Sequence, residues 1–278
     1  MVVSQYAAAQ TVTVPSRGFY IGAGGSYNSV GFGAQDAFAM GTSDIYQRGA
    51  LVSTGEAGGP ARIYMPRESG FAPSAQAGYF QHFPGSNWLW GGKFSYSHVA
   101  VDSTVQDARI HQVGSFAQVG SGSQIPFTGN VVVRSFETRL NHQLTLTPFL
   151  GRSYDRGFFY VGAGPTLTES ETSMNGMIGF ADINGDRTNV SGPPANFSGT
   201  SWVAGAAFVV GATYFFDSAW FMDFTYTYSV TGTAKMDFSG PFTNPNADQG
   251  VTTIGVLSGN SSGSLSTQGL TITINRAF

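Results

Sequence analysis

Trp220–Val230 reads WFMDFTYTYSV, and parity sorts it into two sets. Trp220, Met222, Phe224, Tyr226, Tyr228 and Val230 take the even positions, with Phe221, Asp223, Thr225, Thr227 and Ser229 between them. Successive side chains of a strand point to opposite faces, so a period of two gives one apolar face and one face of small or polar groups. The same alternation recurs elsewhere. At the C-terminus Leu270, Ile272, Ile274 and Phe278 share one parity, with Thr271, Thr273, Asn275 and Ala277 on the other. Near the start Phe19, Ile21, Ala23 and Tyr27 alternate with Tyr20, Gly22, Gly24, Ser26 and Asn28. Trp90, Phe94 and Tyr96 alternate with Gly91, Lys93, Ser95 and Ser97.

Composition says what the apolar face meets. Only 10% of the 278 residues are charged, against roughly 25% in a soluble domain. Glycine supplies 38 residues and aromatics 14%. Disordered chains are charged and poor in aromatics, so disorder is excluded. A net charge of −3 leaves no basic footprint for nucleic acid. The absence of cysteine removes disulfides, thiolate metal sites and thiol nucleophiles. No run reaches the roughly 18 apolar residues of a spanning helix; the nearest, Trp202–Phe216 (WVAGAAFVVGATYFF), stops at Asp217. In a bilayer every backbone polar group must be paired internally, and for strands only a closed barrel achieves this.

Eight strands are expected, over 17–32, 73–83, 88–101, 133–148, 157–168, 200–216, 219–232 and 267–278. The fold class is therefore all-β, an eight-stranded antiparallel up-and-down transmembrane barrel over residues 17–278. Residues 1–16 fit no strand and are expected to be a periplasmic extension or signal remnant, since they lack the basic n-region of a complete secretory signal. Connections alternate between short ones (Pro84–Asn87, Phe149–Arg156, Asp217–Ser218) and segments of about thirty to forty residues (33–72, 102–132, 169–199, 233–266). Short turns on one side and long loops on the other match bacterial outer-membrane barrels, with the turns periplasmic. Ile45–Val52 and Val251–Leu257 are apolar enough to extend the hairpins, and a ten-strand barrel using one of them stays open.

Aromatic rings favour the headgroup level. Phe83, Trp88, Trp90, Phe149, Tyr154, Phe158, Phe159, Phe216 and Trp220 crowd the short turns, with Phe19 and Phe278 on the same side. Tyr27, Phe32, Tyr96, Phe136, Trp202 and Tyr228 are the expected outer girdle. The echo of Gly18–Gly24 (GFYIGAG) in Gly157–Gly164 (GFFYVGAG) opens two strands with glycines on the lumen face, where strands can approach closely. Neither copy opens a helix, as a nucleotide-binding glycine loop requires.

On GFYIGAGGSYN at the first strand and GLTITINRAF at the last, the chain resembles the small OmpA-like outer-membrane barrels, including opacity-type surface antigens. Thr267–Ile274 (TQGLTITI), with the terminal aromatic Phe278, resembles the signal read by the barrel assembly machinery. That resemblance marks Gly269, Ile272, Ile274 and Phe278 as assembly residues. It implies a place in the bacterial outer membrane, among lipid and lipopolysaccharide, and says little about activity.

Carried along each strand, parity points Lys93, Glu137, Arg139 and Asp223 into the lumen, two charges of each sign. Eight strands enclose a space that side chains fill, and confined charges must pair. A neutralising network is the plain expectation; a gate for small ions is the sharper one. His82, His98, His111 and His142 show no metal-ligand spacing. A lipid-modifying enzyme would need a Ser–His pair and an orienting carboxylate, yet the parity of His98 opposes Ser95 and Ser97. His142, facing lipid near mid-strand, implies a bulge in the fourth strand. No catalytic residue, cofactor or metal site is expected. The expected function is a structural or surface-interaction role carried by the long loops on a rigid barrel. The alternatives are a narrow pore for ions or small solutes and a lipid-modifying barrel enzyme.

Overall fold

The computed structural model describes Val14–Phe278 except Asn184. The expectation for residues 1–16 therefore falls almost wholly outside the described residues. The strands are β1 (Arg17–Gly31), β2 (Ala34–Gln47), β3 (Ala50–Tyr64), β4 (Arg67–His82), β5 (Trp88–Gln118), β6 (Gln124–Tyr154) and β7 (Gly157–Ile183). They continue with β8 (Asp186–Asn189), β9 (Ala195–Phe215), β10 (Trp220–Thr231), β11 (Ala234–Asn246), β12 (Val251–Gly263) and β13 (Ser266–Ala277). Antiparallel ladders run β1-β4-β5-β6-β7-β9-β10-β13 and return to β1, which closes an eight-stranded barrel. Closure removes every exposed edge, the condition lipid imposes. The eight strands are those expected from alternation, and the described residues form no ten-strand ring.

The short turns are held locally. Asp217 Oδ1 accepts from the backbone N–H of Ala219 and of Trp220, and Gly85 supplies a left-handed residue at φ 66°. The barrel does not stop where the membrane does. β5 and β6 each run 31 residues, about 100 Å along the strand at the usual rise, against a hydrocarbon core of roughly 30 Å. The expected loops are largely strand. β2–β3 and β11–β12 continue upward from β1/β4 and β10/β13 after breaks at Phe32–Gly33, Met65–Pro66, Gly232–Thr233 and Ser264–Leu265. β12 pairs with β2, and β3 pairs with the far half of β5. β9 meets β11 through side chains, with Phe197 and Phe238 ring centroids 4.8 Å apart. A second cylinder, β11-β12-β2-β3-β5-β6-β7-β9, thus stands on the first.

The exterior of the lower barrel is apolar: Ile21, Phe94, Leu146, Val161, Val210, Phe224, Leu270, Ile272 and Ile274 are all exposed. Trp88, Trp90, Tyr154, Phe159, Phe216 and Trp220 ring its turn end. Two residues expected in that girdle, Phe149 and Phe158, point into the lumen and are buried. At the other level Tyr27, Trp202 and Tyr228 face outward, whereas Phe32 and Phe136 are completely buried. The slip in β6 reverses the parity at Phe136, whereas Phe32, Phe149 and Phe158 share the parity of the lumen residues Val30, Thr147 and Tyr160 of their own strands.

Candidate functional site

The lumen has three layers. At the turn end, Tyr20, Phe80, Leu89, Phe149, Phe158, Tyr160, Val209, Phe215 and Phe221 form one packed cluster. Phe80 lies 5.2 Å from Phe158, and Phe215 stacks 4.7 Å from Phe221, centroid to centroid. Room for such large rings comes from glycine on the opposed strand. Tyr160 lies over Gly211, Tyr20 over Gly78 and Phe149 over Gly91, each directly across a ladder. A Cβ at any of these three glycines would collide with the ring.

Above the aromatic layer lies the charged one. β5 and β10 place Lys93 and Asp223 inward, each 2% exposed. Lys93 Nζ is 3.2 Å from Asp223 Oδ2 and donates to Tyr160 OH at 2.6 Å and Thr225 Oγ1 at 2.9 Å. Tyr160 OH in turn donates to Asp223 Oδ1 at 2.8 Å. Gln76 Nε2 donates to Asp223 Oδ2 at 2.9 Å and to Asn275 Oδ1 at 2.8 Å. A carboxylate with several donors, next to an ammonium with three acceptors, meets the conditions under which ions tolerate burial. Polar residues continue upward, including Ser26, Asn28 and Ser74, with Gln143 donating to Ser229 at 2.7 Å. They enclose a space of only about 30 Å³, enough for a water or so.

Glu137 and Arg139, expected in this network, are not in it. The ladder between β6 and β7 slips between Leu140 and Gln143, opposite a slip between His98 and Val101. Below the slip Gln143, Thr145 and Thr147 face the lumen; above it Phe136, Thr138 and Leu140 do. Glu137 and Arg139 therefore lie on the outer surface, where Arg139 Nη2 is 3.0 Å from Glu137 Oε1 and 3.6 Å from Asp102 Oδ1. The slip also seats His142 on the exterior, 2.9 Å from Tyr96 OH and 3.2 Å from His98 Nδ1, with Glu169 Oε2 at 3.9 Å. His98 keeps company with His142, while Ser95 and Ser97 belong to the other face.

The third layer belongs to the upper cylinder. Val30, Phe32, Met65, Ile110, Phe136, Leu140, Met174, Met177, Met236 and Phe238 are among its buried residues. Above them a cavity of about 220 Å³ opens toward the hairpin tips. Sequence reading missed it. Its walls come from segments expected to be loops, and only hairpin pairing makes them a wall.

On the last strand, Gly269 sits beside Asn28, while Ile272, Ile274 and Phe278 face outward. No protein-family model matches the chain, and no curated protein is similar to it in sequence. Among solved structures, the chain is similar to the outer-membrane protein OprG from Pseudomonas aeruginosa at 12% identity and a TM-score of 0.40, over 96% of this chain and 98% of that one. It is similar to Ail, the attachment invasion locus protein of Yersinia pestis, at 13% identity and a TM-score of 0.25, over 87% and 98%. Likeness at this level says nothing about activity.

Proposed function

We propose that this chain is an outer-membrane barrel of a Gram-negative bacterium that acts at the cell surface, presenting a rigid cylinder for interaction. The short turns would be periplasmic and the hairpins extracellular, as the loop asymmetry favours. One observation carries the reading. The membrane-level lumen is filled, by an aromatic layer and by the Lys93–Asp223 network, while the sheet continues beyond the membrane as a paired wall. A filled lumen speaks against steady passage, and a paired wall supports recognition on a rigid scaffold. Lipid and lipopolysaccharide would meet the apolar band and the belt of Tyr96, His98, His142 and Trp202. The barrel assembly machinery would read the outward face of β13.

Planar-bilayer recording tests this reading. Silent membranes are expected. Steady openings abolished by Lys93→Ala or Asp223→Ala would replace it with a narrow pore. Mass spectrometry of lipid A upon expression tests the lipid-modifying alternative, and an unchanged spectrum is expected. Protease shaving of intact cells should cut at the hairpin tips and spare the short turns.

A further inference from the structure

We propose that the upper cylinder holds a binding site for a small, uncharged, mainly apolar molecule of about one or two rings. The inference rests on the surface-barrel reading only in placing the site outside the membrane. Three aromatic residues from three strands project into the cavity: Phe116 on β5, Phe127 on β6 and Phe242 on β11. The Phe116 and Phe127 rings stack with centroids 4.5 Å apart, and Phe116 and Phe242 lie over Gly55 and Gly255 of the neighbouring strands. Val131 and Leu257 connect its lower wall to the apolar layer beneath. That layer includes four buried methionines, Met65, Met174, Met177 and Met236, so the cavity has a floor and is a receptacle, not a conduit.

Size and charge narrow the occupant. A dry apolar cavity of roughly 150 Å³ accepts benzene, so about 220 Å³ suits one or two fused rings and excludes a folded partner. Among the described lining residues Glu56 is the one ionisable group, and it is exposed. An ion would thus find no buried counter-charge among the described lining residues.

The mouth is built as well. β8 folds back over the end of β7, and the turn after it is tied down. Asn189 Oδ1 accepts from the backbone N–H of Ser191 and of Gly192. Asn244 Nδ2 donates to the carbonyl of Asn189, joining this flap to β11. Ser191 Oγ accepts from the backbone N–H of Gly179. A flap held from two sides keeps the walls apart before any ligand arrives, which lowers the ordering cost of binding.

Indole and its isostere indene, which lacks the N–H, are the probes. Titrated calorimetrically into the full chain in lipid nanodiscs, with empty discs subtracted, both should show saturable one-to-one binding. The two should bind with similar affinity, because apolar contact carries the site. Thr253→Trp, which places a ring in the cavity, should abolish both in a chain whose heat-modifiable gel shift shows it folded. No saturable binding above empty discs, or binding that survives Thr253→Trp, would overturn the proposal. None of these results bears on conductance, so the surface-barrel reading fails separately, in the bilayer recording.

Discussion

Lys93 on β5 and Asp223 on β10 meet across the barrel axis at 3.2 Å, with Tyr160 of β7 bonded to both. Three strands far apart in sequence are tied at one point. Removing one member of a buried pair strands the other charge, at a cost of about 3–5 kcal/mol. Lys93→Met should therefore lower unfolding free energy in lipid vesicles by about that much. Lys93→Met combined with Asp223→Leu should recover most of the loss, because two apolar groups leave no ion behind. Urea titration of the three chains measures both.

Tyr160 can hold Lys93 and Asp223 only because Gly211 opposite leaves space for its ring. Gly211→Val should push the ring aside and cost about 1–3 kcal/mol by overpacking. Gly92, whose Cβ would meet nothing within 4 Å, is the control: Gly92→Ala should change the unfolding midpoint far less.

The register slip in β6 makes neighbours differ. Arg139 is exterior, its side chain 43% exposed, whereas Thr138 is 2% exposed. Because the chain lacks cysteine, single cysteines report cleanly. Arg139→Cys should react with a membrane-impermeant maleimide in the folded protein, and Thr138→Cys only after unfolding. The reverse pattern would return Glu137 and Arg139 to the lumen.

On the upper cylinder, Arg62 Nε donates to Asp36 Oδ1 at 2.8 Å. That hydrogen bond, with the guanidinium charge, holds the Asp36 carboxyl below its usual range. A depressed carboxylate favours the folded state above its unfolded pKa and loses that contribution as pH falls through the folded value. The pair is open to solvent, where ion pairs contribute little. Asp36→Asn should leave the unfolding midpoint at neutral pH unchanged, while the Asp36 carboxyl resonance should titrate below that of a free aspartate.

Alternation was legible wherever a strand runs unbroken from a turn. Trp220–Val230 displays Asp223 inward and its aromatic set outward, and Lys93 follows by the same count from Trp88. Glu137 and Arg139 were misplaced because parity is counted from an origin and a bulge shifts that origin; the lipid-facing parity of His142 signalled the bulge but not which residues lie beyond it. Phe149 and Phe158 were read as girdle because turn-flanking aromatics look alike whichever way they face.

The amino-acid order by itself determined the class of fold, the eight segments of alternation and the side that carries long connections. Those properties are periodic or local, so neighbouring residues suffice to express them. Tertiary pairing alone decided that the connections form a second cylinder, that Phe116, Phe127 and Phe242 share one cavity, and that Tyr160 ties Lys93 to Asp223. Each is a contact between strands distant in sequence, fixed by register and by which glycine opposes which ring, and no single stretch of chain records it.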